Sequence, residues 1–209
     1  MKVNFYFDPS CPFCWVTSRW LLMVSGKREL EIDWRLFSLA IKNSELGGGD
    51  GRSKGFDHLP AHRVERVMLA ASKQGAQLDE MYKTFGIKHF LAGDEYDDAV
   101  IVSALNQLKL NPDLIKAADD SSLDDELVTS TNEAVEIVGQ DIGVPTIVFT
   151  MEDGSSSGFF GPVIQTLSDQ DEAVEMWDSL INLVKHPYFF ELKRGRTQGG
   201  PDVVSTAKC

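Results

Sequence analysis

Val3, Phe5 and Phe7 recur at every second position, a period that predicts a strand. Asp8-Pro9-Ser10 breaks the run, and from Cys11 the period becomes helical. Trp15, Val16, Trp20, Leu21, Leu22 and Val24 form an apolar face, and Gly26 is a helix terminator. Alternation returns over 30–39, with Leu30, Ile32, Trp34, Leu36 and Ser38 on one side, which predicts a second strand. The chain thus opens strand–helix–strand, and a right-handed crossover makes the two strands parallel.

The middle of the chain reads differently. Residues 45–56 hold Gly47-Gly48-Gly49, Gly51 and Gly55 without the Gly-Lys-Ser/Thr of a phosphate loop, which predicts a mobile connector. From His58 to Ile142 the pattern is helical. Its faces are Val64/Val67/Met68/Ala71, Leu78/Met81/Tyr82/Phe85 and Ala99/Val102/Leu105/Leu108, then a short helix from Asn111-Pro112 and a last one over 127–138. Strand character resumes at Gly143-Val144-Pro145-Thr146-Ile147-Val148-Phe149-Thr150. A turn at 152–154 and a partner at Gly158-Phe159-Phe160 make a hairpin. A helix over 169–184 buries Ala173, Met176, Trp177, Leu180, Ile181 and Val184, and a polar tail follows from Lys193. The expected organisation is an α/β domain formed by 1–42 and 143–192, an all-helical insertion over 43–142, and a loosely held tail over 193–209.

Composition narrows the partners. A chain of 209 residues with formal net charge −12 repels nucleic acid and anionic membranes, so neither is expected. No run of about 20 apolar residues suggests a membrane span, and Met1-Lys2-Val3-Asn4 leads into the first strand without a signal peptide's apolar region. These features point to the cytoplasm, where a disulfide is usually transient and catalytic. Of three cysteines, Cys209 is the last residue. It reads as part of a free tail, with a resolving or intermolecular role as the alternative.

Cys11-Pro12-Phe13-Cys14 carries the chemistry. A Cys-x-x-Cys pair between a strand and a helix is the thioredoxin-type redox arrangement. Pro12 suits a first helical position, having no N–H to leave unpaired. Cys11 then sits at the helix N-terminal end, where free N–H groups and the dipole favour the anionic, attacking sulfur. Cys14 lies one turn on. The same spacing is half of a zinc site, but there is no second such pair, and His58, His62, His89 and His186 show no pairing with it. No metal is expected. Inert buried thiols do not call for the strand-to-helix context.

The order strand–helix–strand, helical insert, Gly-Val-Pro-Thr, hairpin and terminal helix resembles the DsbA-like thioredoxin fold. That resemblance implies a cis Pro145 packed against the cysteine pair, leaving the Val144 backbone free to pair with an extended thiol substrate. Phe7-Asp8-Pro9-Ser10-Cys11-Pro12-Phe13-Cys14-Trp15-Val16-Thr17-Ser18-Arg19-Trp20 is similar to the active-site segment of the actinobacterial mycothiol-dependent nitroreductases. So are Phe159-Phe160-Gly161-Pro162-Val163-Ile164 with Leu167, Trp177-Asp178, and Phe190-Glu191-Leu192-Lys193-Arg194. The family implies a cytoplasmic homodimer that draws electrons from mycothiol, a low-molecular-weight thiol, and reduces nitroaromatic compounds. Phe13 stands where a member of that family carries Trp, which keeps an aromatic ring in the motif. The kappa-class glutathione transferases and chromene-carboxylate isomerases are more distant, since they usually place Ser where Cys11 is.

On this reading Cys11 attacks and Cys14 resolves, with Pro12, Phe13, Trp15, Val144 and Pro145 around the substrate. Phe13, Trp15 and Trp20 are candidate walls of a flat pocket, with core packing the alternative for Trp20. His62, Arg63 and His89 are cleft candidates that would hold an anionic thiol cofactor, and a solvated helix start is the alternative for His62 and Arg63. Two rival functions remain: a general protein disulfide reductase or isomerase, and a redox-sensing binding module. The Pro-Phe dipeptide offers the thiolate no side-chain hydrogen bond. The reduced pair should therefore have a potential nearer thioredoxin's, about −270 mV, than DsbA's, about −120 mV. A redox titration giving a value above about −180 mV would contradict this.

Overall fold

Val3, Phe5, Tyr6 and Phe7 are all buried, so both faces of β1 (Lys2–Phe7) are covered and the strand lies inside the sheet. The computed structural model describes residues 1–44, 57–151, 153–167, 169–195 and 199–208. Beside β1 are β2 (Glu31–Leu36), parallel to it, and β3 (Thr146–Thr150), antiparallel. β4 (Ser156–Phe160) pairs with β3 to give the order β2-β1-β3-β4. The register sets Phe5 opposite Trp34 and Ile147, so the core aromatic residues of neighbouring strands stack across β1.

One face of the sheet carries α1 (Pro12–Ser25) and α7 (Gln170–Val184). They lock through Trp20, whose indole lies 5.8 Å from that of Trp177 and donates Nε1–H to the Ala173 carbonyl at 3.0 Å. The Asp169 carboxylate caps α7 by accepting from the Glu172 amide at 2.9 Å. α6 (Asp124–Val138) packs on β2, β3 and β4, and clasps the end of β2. Ser130 Oγ donates to the Leu36 carbonyl at 2.6 Å, and Thr131 Oγ1 accepts from the Ser38 amide at 3.1 Å.

Between the short α2 (Leu39–Lys42) and α6 come α3 (Leu59–Ser72), α4 (Leu78–Gly86) and α5 (Asp98–Gln107). α4 runs on into a π-helical turn at Ile87–Ala92, and a 3₁₀ helix follows at Pro112–Asp119. The expected glycine-rich connector over 45–56 lies outside the described residues. Tyr82 fastens the insert to the sheet. Its ring lies 4.2 Å from Phe7, 5.8 Å from Trp34 and 6.0 Å from Trp15. Gly86 closes the same joint because the Trp15 ring lies against its Cα, in the space a Cβ would fill.

The end of the chain departs from the expected loose tail. Residues 199–208 fold back onto α1, with a 3₁₀ turn at Ser205–Lys208. Thr206 is buried and accepts the Trp15 Nε1–H at 2.8 Å, and the Asp202 amide donates to the Gln165 carbonyl at 2.7 Å. A buried indole N–H needs an acceptor, and this segment supplies it. Among the described residues no helix is long and apolar enough to cross a membrane.

Replacing Gly86 with Ala would drive a methyl into the buried Trp15 ring. Gly86→Ala should lose about 1–3 kcal/mol of stability, read as a lowered midpoint in urea or thermal unfolding. An unchanged midpoint would show that Trp15 is free to move.

Candidate active site

The turn between β1 and α1 is held by a buried carboxylate. Asp8 Oδ1 accepts from the Ser10 amide at 2.8 Å and from Ser10 Oγ at 2.6 Å, and Oδ2 accepts from the Leu39 amide at 2.8 Å. Burial pushes the Asp8 carboxyl above its usual range, and the three donors act against that shift. One side chain therefore fixes both the loop before α1 and the loop after β2. The Cys11 amide donates back to the Asp8 carbonyl at 3.1 Å, which closes the turn.

Cys11 is the residue that caps α1, with extended backbone (φ −83°, ψ 110°), and Pro12 is the first helical residue. Its side chain is at the edge of burial, 9% exposed, whereas Cys14 is fully buried. Both thiols are free. Cys11 Sγ donates to the Val144 carbonyl at 3.5 Å, and the Val144–Pro145 peptide is cis. Thus the loop before β3 places a main-chain group beside the outer sulfur. Burial, then the neighbouring Cys11, pushes the Cys14 thiol well above its usual range. The two sulfurs are therefore unequal in access, and the inner one is costly to ionise.

Phe13 and Pro12 are half-buried at the rim. Trp15, expected as a pocket wall, is instead 1% exposed. Its ring is covered by Tyr82, by Phe90 at 5.7 Å, by the Arg19 guanidinium at 4.5 Å and by Thr206. Trp20 lies in the core against α7. A helix that must present its N-terminus to substrate buries its next turn, which removes both tryptophans from the surface.

The cleft candidates from the insert take other positions. His62 is buried, with Nδ1 2.9 Å from Ser38 Oγ and 3.3 Å from Glu65 Oε2, and Nε2 3.0 Å from Asp124 Oδ1. Burial, then the Arg66 charge, lowers its pKa, which favours the neutral imidazole. It serves the joint between α3, α2 and α6, so it is not a contact for an anion. Burial raises the Glu65 carboxyl well above its usual range, as do Asp8 and Asp124. Arg63 turns outward to Asp119 at 2.9 Å and Asp98 at 2.8 Å. His89 stacks on Tyr96 at 4.5 Å, and Tyr96 donates its hydroxyl to the Pro9 carbonyl at 3.1 Å, so His89 supports the active-site loop from behind. Asp8, Tyr82, Glu65, Tyr96 and Thr206 were not singled out from the sequence. Asp8 stood in a breaker segment and Tyr82 on an apolar face, and neither pattern reports what a polar atom meets once buried. Among the described residues no group of three or more His, Cys, Asp or Glu could hold a metal.

A family described as Rv2466c-like, mycothiol-dependent nitroreductase Rv2466c, matches residues 10–194, which include the cysteine pair, the insert, the hairpin and α7. The chain belongs to that family. The family's chemistry and the DsbA-like fold make this protein a thiol-dependent oxidoreductase. An uncharacterized protein of Mycobacterium tuberculosis, Rv2286c, is 27% identical over 205 residues, covering 97% of this chain and 86% of that one. Among solved structures, the cytosolic disulfide reductase DsbM from Pseudomonas aeruginosa has a TM-score of 0.57 at 16% identity, covering 88% of this chain and 100% of its own. The probable DsbA oxidoreductase SCO1869 from Streptomyces coelicolor also gives 0.57 at 16%, covering 97% of each. These two likenesses bear on the fold, which is the thioredoxin fold of the DsbA-like class.

The inequality of the sulfurs has a direct readout. Iodoacetamide at neutral pH should modify Cys11 of the reduced family member and leave Cys14 unmodified until the protein is unfolded, as read from peptide fragment masses. A raised thiol pKa lowers the thiolate fraction at any pH below it, which adds to the shielding that burial gives Cys14. Equal labelling of the two at neutral pH would contradict the order.

Proposed function

We propose that this protein is a cytoplasmic, homodimeric reductase that takes electrons from mycothiol and passes them to nitroaromatic or disulfide acceptors through Cys11 and Cys14. The observation that carries the reading is the asymmetric pair: an outer sulfur at a helix N-terminus beside the Val144 main-chain carbonyl, and an inner sulfur one turn behind it. In a chain of this family, that arrangement suits attack by Cys11 and resolution by Cys14.

Reduction of a disulfide acceptor proceeds in two exchanges. The Cys11 thiolate attacks one sulfur, the acceptor's S–S bond breaks, and the first thiolate leaves. Cys14 then attacks Cys11, gives the intramolecular disulfide and releases the second thiol. Two mycothiol molecules restore the dithiol through a mixed disulfide on Cys11 and leave as mycothiol disulfide. A nitroaromatic acceptor draws the same two electrons.

Phe13 and Pro12 at the rim are the side chains we assign to the acceptor, with Val144 and Pro145 opposite. Trp15 acts through packing. Tyr188, Phe190 and Leu192 are large exposed apolar side chains at alternate positions of the chain, which suits a subunit contact. A general disulfide reductase is the second reading, favoured by the Val144 carbonyl, to which an extended peptide could pair.

Reduction of a nitroaromatic dye should proceed with mycothiol, be much slower with glutathione, and stop without thiol or in Cys11→Ser. Turnover that survives Cys11→Ser would overturn the assignment. No turnover with any thiol, together with reduction of insulin disulfides, would favour the second reading.

A further inference from the structure

Beyond Val144, the side of the cysteine pair away from Phe13 carries apolar groups that thiol exchange itself does not need. Val144 presents its carbonyl to Cys11 Sγ, 3.5 Å away, and the residue before it is Gly143, which is half-buried and has no side chain. A Cβ at Gly143 would lie 3.9 Å from Phe160 Cε2 and 4.0 Å from Leu39 Cδ2. Apart from its chain neighbours it would meet no other atom of the described residues within 4 Å. The bare backbone is thus a floor between two apolar walls, and a glycine lets a ligand approach such a floor closely.

This slot is tied to the reacting sulfur by main-chain bonds. The Leu39 amide donates to Asp8 Oδ2 at 2.8 Å, and Asp8 holds the turn that ends at Cys11. The Gly143 carbonyl accepts from Thr146 Oγ1 at 2.8 Å. Phe160 ends β4, and the two residues after it are fastened in turn. The Gly161 amide donates to the Pro145 carbonyl at 2.7 Å, and Thr17 Oγ1 of α1 donates to the Pro162 carbonyl at 2.8 Å. Phe160 is therefore anchored to both sides of the site, yet it is 43% exposed. An exposed apolar residue alone needs no explanation. One whose ring edge stands with Leu39 over bare backbone, one residue from the carbonyl that meets Cys11, marks a place for a ring. The lining side chains offer no hydrogen-bonding group, and the formal net charge of −12 disfavours an anion.

We propose that Phe160 and Leu39, over the backbone of Gly143, form the subsite that seats the ring of an uncharged aromatic acceptor, with the acceptor's reducible group at Cys11. This rests on the reading of Cys11 as the reacting thiol, and it adds the acceptor class and the residues that select it. Phe160 supplies ring contact, Leu39 the opposite wall, and Gly143 the clearance between them.

The test is single-turnover oxidation of the reduced full chain, carrying Cys209→Ser so that only the pair reports. Two uncharged disulfides serve as probes: 4,4′-dithiodipyridine, which is aromatic, and 2-hydroxyethyl disulfide, which is aliphatic. With either, the Cys11 thiolate attacks one sulfur, the S–S bond breaks and one thiolate leaves. Cys14 then attacks Cys11 and releases the second. The second-order rate constant is read from the loss of free thiol in acid-quenched samples by mass spectrometry. Phe160→Ala should lower the constant for the aromatic disulfide about three- to tenfold, the range of one aromatic contact, and that for the aliphatic disulfide much less. Gly143→Ala puts a methyl on the floor at ordinary contact distance from both walls. Its thermal midpoint should hold while the aromatic constant falls in the same sense. An aromatic constant retained in either variant would overturn the proposal, and so would equal loss toward both disulfides, which would assign these residues to the shape of the loop. No reaction of the parent protein with either disulfide would instead count against Cys11 as nucleophile, the reading underneath.

Discussion

The site depends on the buried carboxylate of Asp8. It is three residues from Cys11, and its oxygens gather the amides of Ser10 and Leu39 and the hydroxyl of Ser10. Those bonds fix the direction in which α1 leaves β1 and the path by which the chain leaves β2. A charged group without solvent is tolerable only when its lone pairs are met, and here meeting them shapes the turn. The helix that starts at Pro12 can then expose one sulfur and bury the next.

Around that turn the molecule divides its tasks. The sheet and its two flanking helices form a frame that would bury Trp20 and Trp177 whatever the chemistry. The insert contributes the cover. Tyr82 rests on the end of β1, Tyr96 reaches the Pro9 carbonyl, and Gly86 lets the Trp15 ring in close. A second polar joint ties the insert to the frame, where His62 meets Ser38 and Asp124, and Arg66 holds both oxygens of Asp124 at 2.7 and 2.6 Å. That ion pair pulls the Asp124 carboxyl below its usual range, so it stays ionised at neutral pH, while burial pushes the neighbouring Glu65 carboxyl well above its own.

Much of this was legible in the sequence because it rests on periodicity. Alternation at 3–7 and 30–39 gives two strands, helical spacing gives α1, α3, α4, α5, α6 and α7, and the Cys-x-x-Cys pair after a strand gives the chemistry. Val144-Pro145 beside Cys11 came from resemblance, since no local pattern joins residues so far apart. What could not be read were the partners of buried polar atoms. His62 looked like a cleft residue because histidine on a helix start has no fixed meaning, and its role appears only once Ser38 and Asp124 are beside it. Trp15 looked like a pocket wall because the sequence does not show that a tail from the far end covers it. Arg63 looked available until Asp98 and Asp119 were placed on either side.

The clasp between Trp15 and Thr206 joins residues 191 positions apart. A ribosome makes α1 long before Thr206, so the indole N–H waits for its acceptor while the residues between them are added. β1 waits as well, since β3 comes from the far side of the insert. Chains in which distant segments must meet close late and slowly. The buried setting of Trp15, the residue next to Cys14, is therefore complete only once residues 199–208 have been made and packed on α1.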